Sequence, residues 1–211
     1  MTITIEIQQQ HFTLHPTGAV FWVERRWLLI SDVHLGKVSH FRKHGFAVPE
    51  DSIMKNFEQL DVALDYFEPE RLIFLGDLFH SKLNSEWWLF ESWVRTLHVE
   101  VLLIQGNHDI IAHRHYDAVH IRVLDELIAG DMLLTHHPEA REGLFNFCGH
   151  IHPAVRLRGT GRQSLKLPCF FQRGQQLILP AFGTFTGTFF LVPERHECVY
   201  AITKEAVIEV C

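Results

Sequence analysis

The sequence predicts an α/β protein in which two β-sheets pack together and are flanked by helices. Three observations predict this class. Short apolar runs recur and end in polar, glycine-bearing turns, as buried strands do in layered α/β proteins. Two segments with helical spacing of apolar residues separate the first three of the clearest runs. After Asp131 the expected strands follow one another closely without helices between them, so we expect a second sheet packed on the first.

The elements can be placed in chain order. Strands are expected near residues 3–7 and 19–23, and the clearest strands are expected at residues 27–30, 72–75, 101–104 and 132–134. Helices are expected over residues 50–67 and from residue 85 to about 97, because apolar residues recur there at spacings of three and four. The strands at residues 27–30, 72–75 and 101–104 and the two helices between them form a βαβαβ unit, which is one half of the expected fold. Strands at residues 198–202 and 206–210 end the chain.

Length and composition predict one globular domain over residues 1–211. The 211 residues, 47% of them hydrophobic, can bury one sizeable core, and no linker, repeat or low-complexity tract divides them. There is no apolar run long enough to span a membrane and no signal-peptide pattern at the start of the sequence. The four cysteines lie at wide, unpaired spacings. We therefore expect a cytoplasmic protein with reduced thiols.

The charge pattern is uneven. A formal net charge of -6 argues against a surface coated in positive potential, which is usual for tight nucleic-acid binding. Two stretches, residues 33–49 and 143–193, nevertheless contain no Asp or Glu. Their cations either form a basic strip that binds substrate phosphates or are ordinary solvated charges, and the sequence leaves both open. The candidate substrate-binding residues are Lys37, Arg42, Arg156, Arg158, Arg162 and Lys166.

Polar residues that can ligate metal follow five consecutive apolar segments. In α/β sheets, ligand sites gather where strands end. A single Asp or His in such a place is usually a turn former or a structural residue, but five in succession indicate a metal site. Mixed carboxylate, imidazole and amide ligands suit Mn, Fe or Zn better than Mg. The segments contain Asp32 and His34, then Asp77, then Asn107, His108 and Asp109, then His136 and His137, and finally His150 and His152.

Spacing adds to this argument. Asp32 and His34, like His150 and His152, are two residues apart, so in an extended segment each pair would project from one face and act as a clamp. Two ions about 4 Å apart, bridged by one carboxylate, can hold a hydroxide between them and clamp a phosphoryl oxygen. In-line attack by such a hydroxide on a phosphodiester is the expected reaction.

In order and spacing, these segments resemble the five signature blocks of calcineurin-like metallophosphoesterases. The resemblance implies a four-layer α/β/β/α sandwich. It implies that one metal is held by Asp32, His34, Asp77 and His152, and a second by Asp77, Asn107, His136 and His150. It also implies that His108 lies beside the scissile bond, with Asp109 orienting its ring. His137 is expected to lie outside the ligand set.

A narrower resemblance covers most of the chain. The sequences Asp32-Val33-His34-Leu35-Gly36-Lys37, Gly76-Asp77-Leu78-Phe79-His80-Ser81 and Leu179-Pro180-Ala181-Phe182-Gly183 are similar to those of bacterial ligase-associated DNA damage response endonucleases. That branch implies a manganese-dependent endonuclease acting on single-stranded DNA, associated with a ligase, a helicase and a nuclease. One departure is Thr135-His136-His137-Pro138, where Ser-His-Glu-Pro is expected.

Two other functions remain open from the sequence. A small-molecule phosphoesterase, such as a nucleotide or sugar-nucleotide pyrophosphatase, would use the same metals with a different cleft. A non-catalytic scaffold would have lost ligands, and every expected ligand is present. The tryptophans of the second helix, Trp87, Trp88 and Trp93, are expected in the core. Most of the late phenylalanines, Phe170, Phe171, Phe182, Phe185, Phe189 and Phe190, are expected inside the second sheet.

Overall fold

The computed structural model describes residues 1–37, 51–159, 161 and 163–210. The first sheet contains seven strands, β1 (Ile3–Ile7), β2 (Gln10–Leu14), β3 (Val20–Trp22), β4 (Trp27–Ile30), β5 (Arg71–Leu75), β6 (Glu100–Ile104) and β7 (Arg122–Leu124). The second contains β8 (Leu127–Ala129), β9 (Met132–Leu134), β10 (Phe145–Cys148), β11 (Pro153–Arg158), β12 (Ser164–Arg173), β13 (Gln176–Ile178), β14 (Phe189–Phe190), β15 (Cys198–Ile202) and β16 (Val207–Glu209). The helices are α1 (Asp51–Phe67), α2 (Ser85–Val94) and α3 (His113–Asp117).

Both sheets are mixed. In the first, the strands lie in chain order from β1 to β7, antiparallel up to β4 and parallel from β4 onward. In the second, the order is β14-β11-β12-β13-β10-β9-β8, and β15 pairs with β12 and β16. The parallel neighbours β9 and β10 lie between β13 and the edge strand β8 of the second sheet. Parallel strands in both sheets therefore supply carboxyl ends where a site can form.

The core is divided by the first sheet. Along β4, Leu28 and Ile30 pack with the helices, whereas Leu29 packs in the cluster between the two sheets. Residues of β5 alternate in the same way. Strands with continuous apolar sequence are expected when both faces are buried, because successive side chains point to opposite faces. The cluster between the sheets also contains Phe147 and Phe170 from the second sheet.

Local signals explain the helices. In α1, Phe57, Leu60 and Leu64 recur at helical spacing and are buried against the first sheet. The side chain of Asn84 caps α2 by accepting a hydrogen bond from the backbone N–H of Glu86. This helix ends at Val94, before the expected Leu97, because the last residues form a tighter turn. None of the described helices is long and apolar enough to cross a membrane.

The predicted fold class is confirmed: two packed β-sheets with helices in an α/β arrangement. All three described helices pack on the first sheet. In the described part of the chain no helix covers the outer face of the second sheet, so the fourth layer of the expected sandwich is not seen there. That residues 1–211 form a single domain stays a prediction.

Several aromatic residues lie where the sequence did not place them. Trp87 is buried as expected, but Trp88 is 63% exposed because it lies on the solvent side of α2. Phe170, Phe171 and Phe182 are buried. Phe185, Phe189 and Phe190 are exposed, and the expectation that they lie inside the second sheet is wrong for these three. An edge strand as short as β14 has too little covering structure to bury its rings.

Candidate metal centre

The sequence-predicted segments meet where strands of both sheets end. In the first sheet Ile30 lies opposite Phe74, and Leu75 lies opposite Ile104, so the segments after β4, β5 and β6 leave the same edge. In the second sheet Leu134 lies opposite Phe147, which places the segments after β9 and β10 side by side. The carboxyl ends of five strands thus form one site.

The site residues have unusual backbone conformations. Asp32, His34, Asp77, His150 and His152 all have left-handed φ values, between 50° and 67°. Residues with side chains rarely adopt this conformation, and such strain concentrates at functional sites. The pairs Asp32/His34 and His150/His152 were expected to lie in extended segments, and this expectation is wrong. Sharp turns, and not the alternation of side chains along a strand, bring the members of each pair together.

The predicted ligand atoms converge in three overlapping groups. The first contains Asp32, His34 and His152, the second Asp32, Asp77 and His136, and the third His136, His137 and His150. Within each group the ligand atoms lie within 4.8 Å of one another. Asp77 lies between the two ends of the site: its oxygens are 3.9 Å from His34 Nε2 and 3.5 Å from His136 Nε2. Asn107 Oδ1 lies 3.0 Å from His136 Nε2.

Hydrogen bonds to the backbone orient these side chains. Nδ1 of His136 lies 3.0 Å from the carbonyl oxygen of Leu75, and Nδ1 of His152 lies 3.1 Å from that of Gly187. Because a carbonyl can only accept, each Nδ1 carries the proton and the opposite Nε2 of the neutral ring faces the site with its lone pair. Asp32 Oδ2 accepts a hydrogen bond from the backbone N–H of His150 at 2.9 Å.

The electrostatics of the site favour a bound cation. Oδ1 of Asp32 is buried and, among the described residues, accepts no hydrogen bond, although Nε2 of His152 lies 3.1 Å away. Burial lowers the pKa of His34 to about 3, which keeps its ring neutral and able to ligate metal. Burial also opposes a charge on His152, but the carboxylate of Asp32 outweighs it and raises the pKa of His152. The imidazole lone pairs converge beside the buried carboxylate of Asp32, and such an arrangement of ligands suits a divalent metal ion.

His108 and Asp109 have different environments. The backbone N–H of His108 donates to Asp77 Oδ1 at 2.9 Å, which ties the half-buried His108 to the centre of the site. The carboxylate of Asp109 accepts from the backbone N–H groups of Phe79 and Gly106, each at 2.9 Å. Asp109 therefore fixes two site loops, whereas the family resemblance implied that it orients the ring of His108. Burial raises the pKa of Asp109 to about 6.

Two histidines lie in the site without a sequence-assigned role. The ring of His80 packs against that of His108, with centroids 4.3 Å apart, and lies 5.3 Å from the ring of His34. His80 lies within a motif that carried the narrower resemblance, which is the signal that could have identified it. His137, expected to lie outside the ligand set, has its ring 4.1 Å from that of His150 and can supply a ligand atom.

The candidate substrate-binding cations fall into three groups. Lys37 follows the segment that contains Asp32 and His34. Burial lowers the pKa of Lys37, and the negative charge of Asp77 opposes this effect. The second group lies on two neighbouring strands. Arg156 and Arg158 lie on β11, which begins immediately after His152, and Lys166 lies on β12. Arg42 and Arg162 lie outside the described residues.

The fold and site have a clear relative among solved structures. The crystal structure of Pseudomonas putida nuclease MPE matches with a TM-score of 0.83 and 31% sequence identity, over 100% of both chains. The phosphoesterase Yfce from E. coli matches with a TM-score of 0.47 and 15% identity, over 87% of this chain and 97% of its own. No protein-family model and no curated protein sequence matches the chain.

A chain 31% identical to this nuclease over its whole length, with a histidine and aspartate cluster able to hold divalent metal, is a metallophosphoesterase. It belongs to the calcineurin-like metallophosphoesterase superfamily, in the branch that the narrower sequence resemblance predicted.

Proposed function

We propose that this protein is a manganese-dependent phosphodiesterase that cleaves single-stranded DNA as an endonuclease. The observation that carries the proposal is the convergence of Asp32, Asp77 and the site histidines in a structure similar throughout to a nuclease. A role in DNA repair beside a ligase, a helicase and another nuclease is a proposal from the family resemblance.

We assign the ligands as two sets that share one residue. Asp32, His34, Asp77 and His152 would hold one ion, and Asp77, Asn107, His136 and His150 the other. The position of Asp77 between His34 and His136 supports its role as the shared ligand. The donors are carboxylate, amide and imidazole, a set that suits Mn, Fe or Zn, and we favour Mn from the family resemblance. When bound, a pair of such ions supplies Lewis-acid charge to the phosphoryl oxygens and lowers the pKa of water.

The chain's own residues then bind and orient the ester. The backbone N–H of His108 is held by Asp77 Oδ1, so its ring stands at the edge of the ligand cluster. From there a ring nitrogen of His108 can donate a proton to the leaving oxygen. Lys37 adds positive charge on the His34 side of the cluster. Asp109 keeps the loops that contain Phe79 and Gly106 in place.

A substrate panel tests the proposal. Bis-p-nitrophenyl phosphate, p-nitrophenyl phosphate, a nucleoside diphosphate sugar and circular single-stranded DNA are each incubated with Mn, Mg, Zn or a chelator. We expect Mn-dependent hydrolysis of the diester and cleavage of the circle, which only an endonuclease can open. If only the monoester or the diphosphate sugar reacts, the protein is a small-molecule phosphoesterase and the nuclease proposal fails.

Variants connect the activity to this site. His108→Ala should lower turnover of the diester by roughly 100-fold or more, since a general acid contributes that much. Asp77→Asn should remove most activity with every metal, because a shared ligand loses its charge. His98→Ala is the matched control, because His98 is exposed and precedes β6 at the opposite end of the sheet. Full phosphodiesterase activity in His108→Ala would contradict the assignment of that residue.

A further inference from the structure

An exposed face of the second sheet combines cations with an aromatic ring. We call it the basic ribbon: Arg156 and Arg158 on β11, Lys166 on β12, and Phe190 on β14. Arg156 lies directly opposite Lys166 across the antiparallel pair, and β14 pairs with β11 on its other side. Since alternate residues of a strand share a face, Arg156 and Arg158 project from the same side as Lys166. A groove of about 400 Å³ is lined by Arg156, Arg158 and Phe190.

One ring holds two of these cations. The guanidinium carbon of Arg156 lies 4.6 Å from the ring centroid of Phe190, and Nζ of Lys166 lies 4.4 Å from it. Nζ of Lys166 also donates to the carbonyl oxygen of Thr188 at 3.4 Å. Cation–π contacts at exposed sites are weak individually, but they limit the directions in which the two side chains point.

The cations are not neutralised. Within the described ranges, Arg156, Arg158 and Lys166 form no ion pair. No Asp or Glu occurs anywhere between residues 143 and 193, in a chain whose net charge is -6. A cluster of exposed, unpaired cations on an acidic protein raises the local concentration of anions. The ribbon is therefore suited to an anionic ligand.

The ribbon begins at the candidate metal centre. β11 starts immediately after His152, and the backbone N–H of Phe189 donates to the carbonyl oxygen of His152 at 2.8 Å. The ring of Phe189 is 62% exposed but points to the face of the sheet opposite Arg156 and Phe190. Four residues of extended strand place Arg156 about 13 Å from His152. A chain of linked anionic groups can therefore extend from the ribbon to the metal centre.

We propose that the basic ribbon binds the single-stranded nucleic acid on one side of the scissile phosphate. This proposal rests on the proposed function and names the binding surface for its substrate. Arg156, Arg158 and Lys166 bind successive backbone phosphates. Contacts to backbone phosphates carry no base-sequence information, so the ribbon binds the strand without preference for its base sequence.

The test separates binding from chemistry. Binding of a fluorescent 20-nucleotide oligothymidylate is measured by anisotropy in EDTA at several salt concentrations, for wild type, Phe189→Ala and Arg156→Gln/Lys166→Gln. We expect the double variant to bind about tenfold more weakly. The slope of log affinity against log salt should decrease by about 1.4, since each phosphate contact on a single strand contributes about 0.7. Phe189→Ala should keep the wild-type affinity and slope, because this ring points to the opposite face of the sheet.

Arg25→Gln is the matched control. Arg25 also lies over aromatic rings, those of Trp22 and Trp27, but at the end of β4 remote from the metal centre. Its substitution should change neither affinity nor slope. Arg25→Gln should also hydrolyse bis-p-nitrophenyl phosphate at the wild-type rate.

The two proposals fail in different ways. Wild-type affinity and slope in Arg156→Gln/Lys166→Gln would overturn the ribbon, whatever the catalytic activity. A loss of affinity in Phe189→Ala as large as that in the double variant would also overturn it, because the effect would then not be specific to the basic face. Absence of diester hydrolysis by wild type with every metal would overturn the proposed function. The salt dependence of binding would still decide whether the ribbon binds nucleic acid.

Discussion

The Nε2 atoms of His34 and His152 face each other at 3.3 Å beside the buried carboxylate of Asp32. Two imidazole nitrogens at this distance repel each other unless a proton or a cation lies between them. Burial disfavours a proton on His34, whose pKa is about 3, whereas the carboxylate of Asp32 favours one on His152 by raising its pKa. The fold therefore favours a positive charge at this point, supplied by a proton on His152 or by a metal ion.

Metal removal should lower stability. We expect the thermal midpoint in excess Mn to exceed that in EDTA by about 5–10 °C, because a ligand at roughly 100 times its Kd adds about 2.7 kcal/mol to the free energy of unfolding. The measurement is differential scanning fluorimetry. His152→Ala should reduce the shift strongly, and His98→Ala should keep it. Equal shifts in both variants would show that the ion binds elsewhere.

Acidification of the metal-free protein should destabilise it through His34. The pKa of His34 is about 3 in the folded protein, against 6.5 for an ordinary histidine. Between these values the unfolded state binds more protons, so the stability contributed by His34 is full above about pH 6.5 and is lost as the pH falls toward 3. Urea unfolding in EDTA at pH 7.5 and 5 should therefore show a smaller loss of stability for His34→Asn than for wild type. An identical pH dependence would contradict the burial of a neutral ring.

Two glycines should be intolerant of any side chain. A Cβ at Gly106 would lie 2.3 Å from the backbone N of Asp77, and one at Gly149 would lie 2.3 Å from Oδ2 of Asp32. Gly106→Ala and Gly149→Ala should each lower diester hydrolysis by about 100-fold, because a displacement of 1 Å at a catalytic site can cost that much. Gly187→Ala is the control, since no atom of the described residues lies within 4 Å of its Cβ position. Comparable losses of diester hydrolysis in all three variants would show that the close contacts at Gly106 and Gly149 are not the cause.

His80 should act as a positioning residue for His108. Its ring packs 4.3 Å from that of His108, so His80→Ala leaves the second ring less restrained. We expect kcat for the diester to fall roughly tenfold while KM and the Mn-induced thermal shift stay near wild type. His80→Phe should restore part of kcat by replacing the ring. A fall in the thermal shift would instead indicate that His80 supports the metal ligands.

Much of the site is encoded locally. The apolar runs that form β4, β5 and β6 alternate between two buried faces, and the polar residues that follow them stand at strand ends. Both features depend on neighbours in the chain, which is why periodicity and spacing identified Asp32, Asp77 and Asn107. The first two helices were likewise predicted to within three residues at each end, whereas α3 was not predicted.

Other features depend on contacts between residues far apart in the sequence. The left-handed backbone at Asp32 and Asp77, the bonds from Asp109 to Phe79 and Gly106, and the packing of His80 on His108 arise only when separate loops meet. The exposure of Phe189 depends on how little structure covers β14. The sequence by itself determined the buried strands β4, β5, β6 and β9 and the residue types able to hold metal. Only the tertiary structure decided their distances, their protonation and the exposed face beside them, because burial and charge act through space and not along the chain.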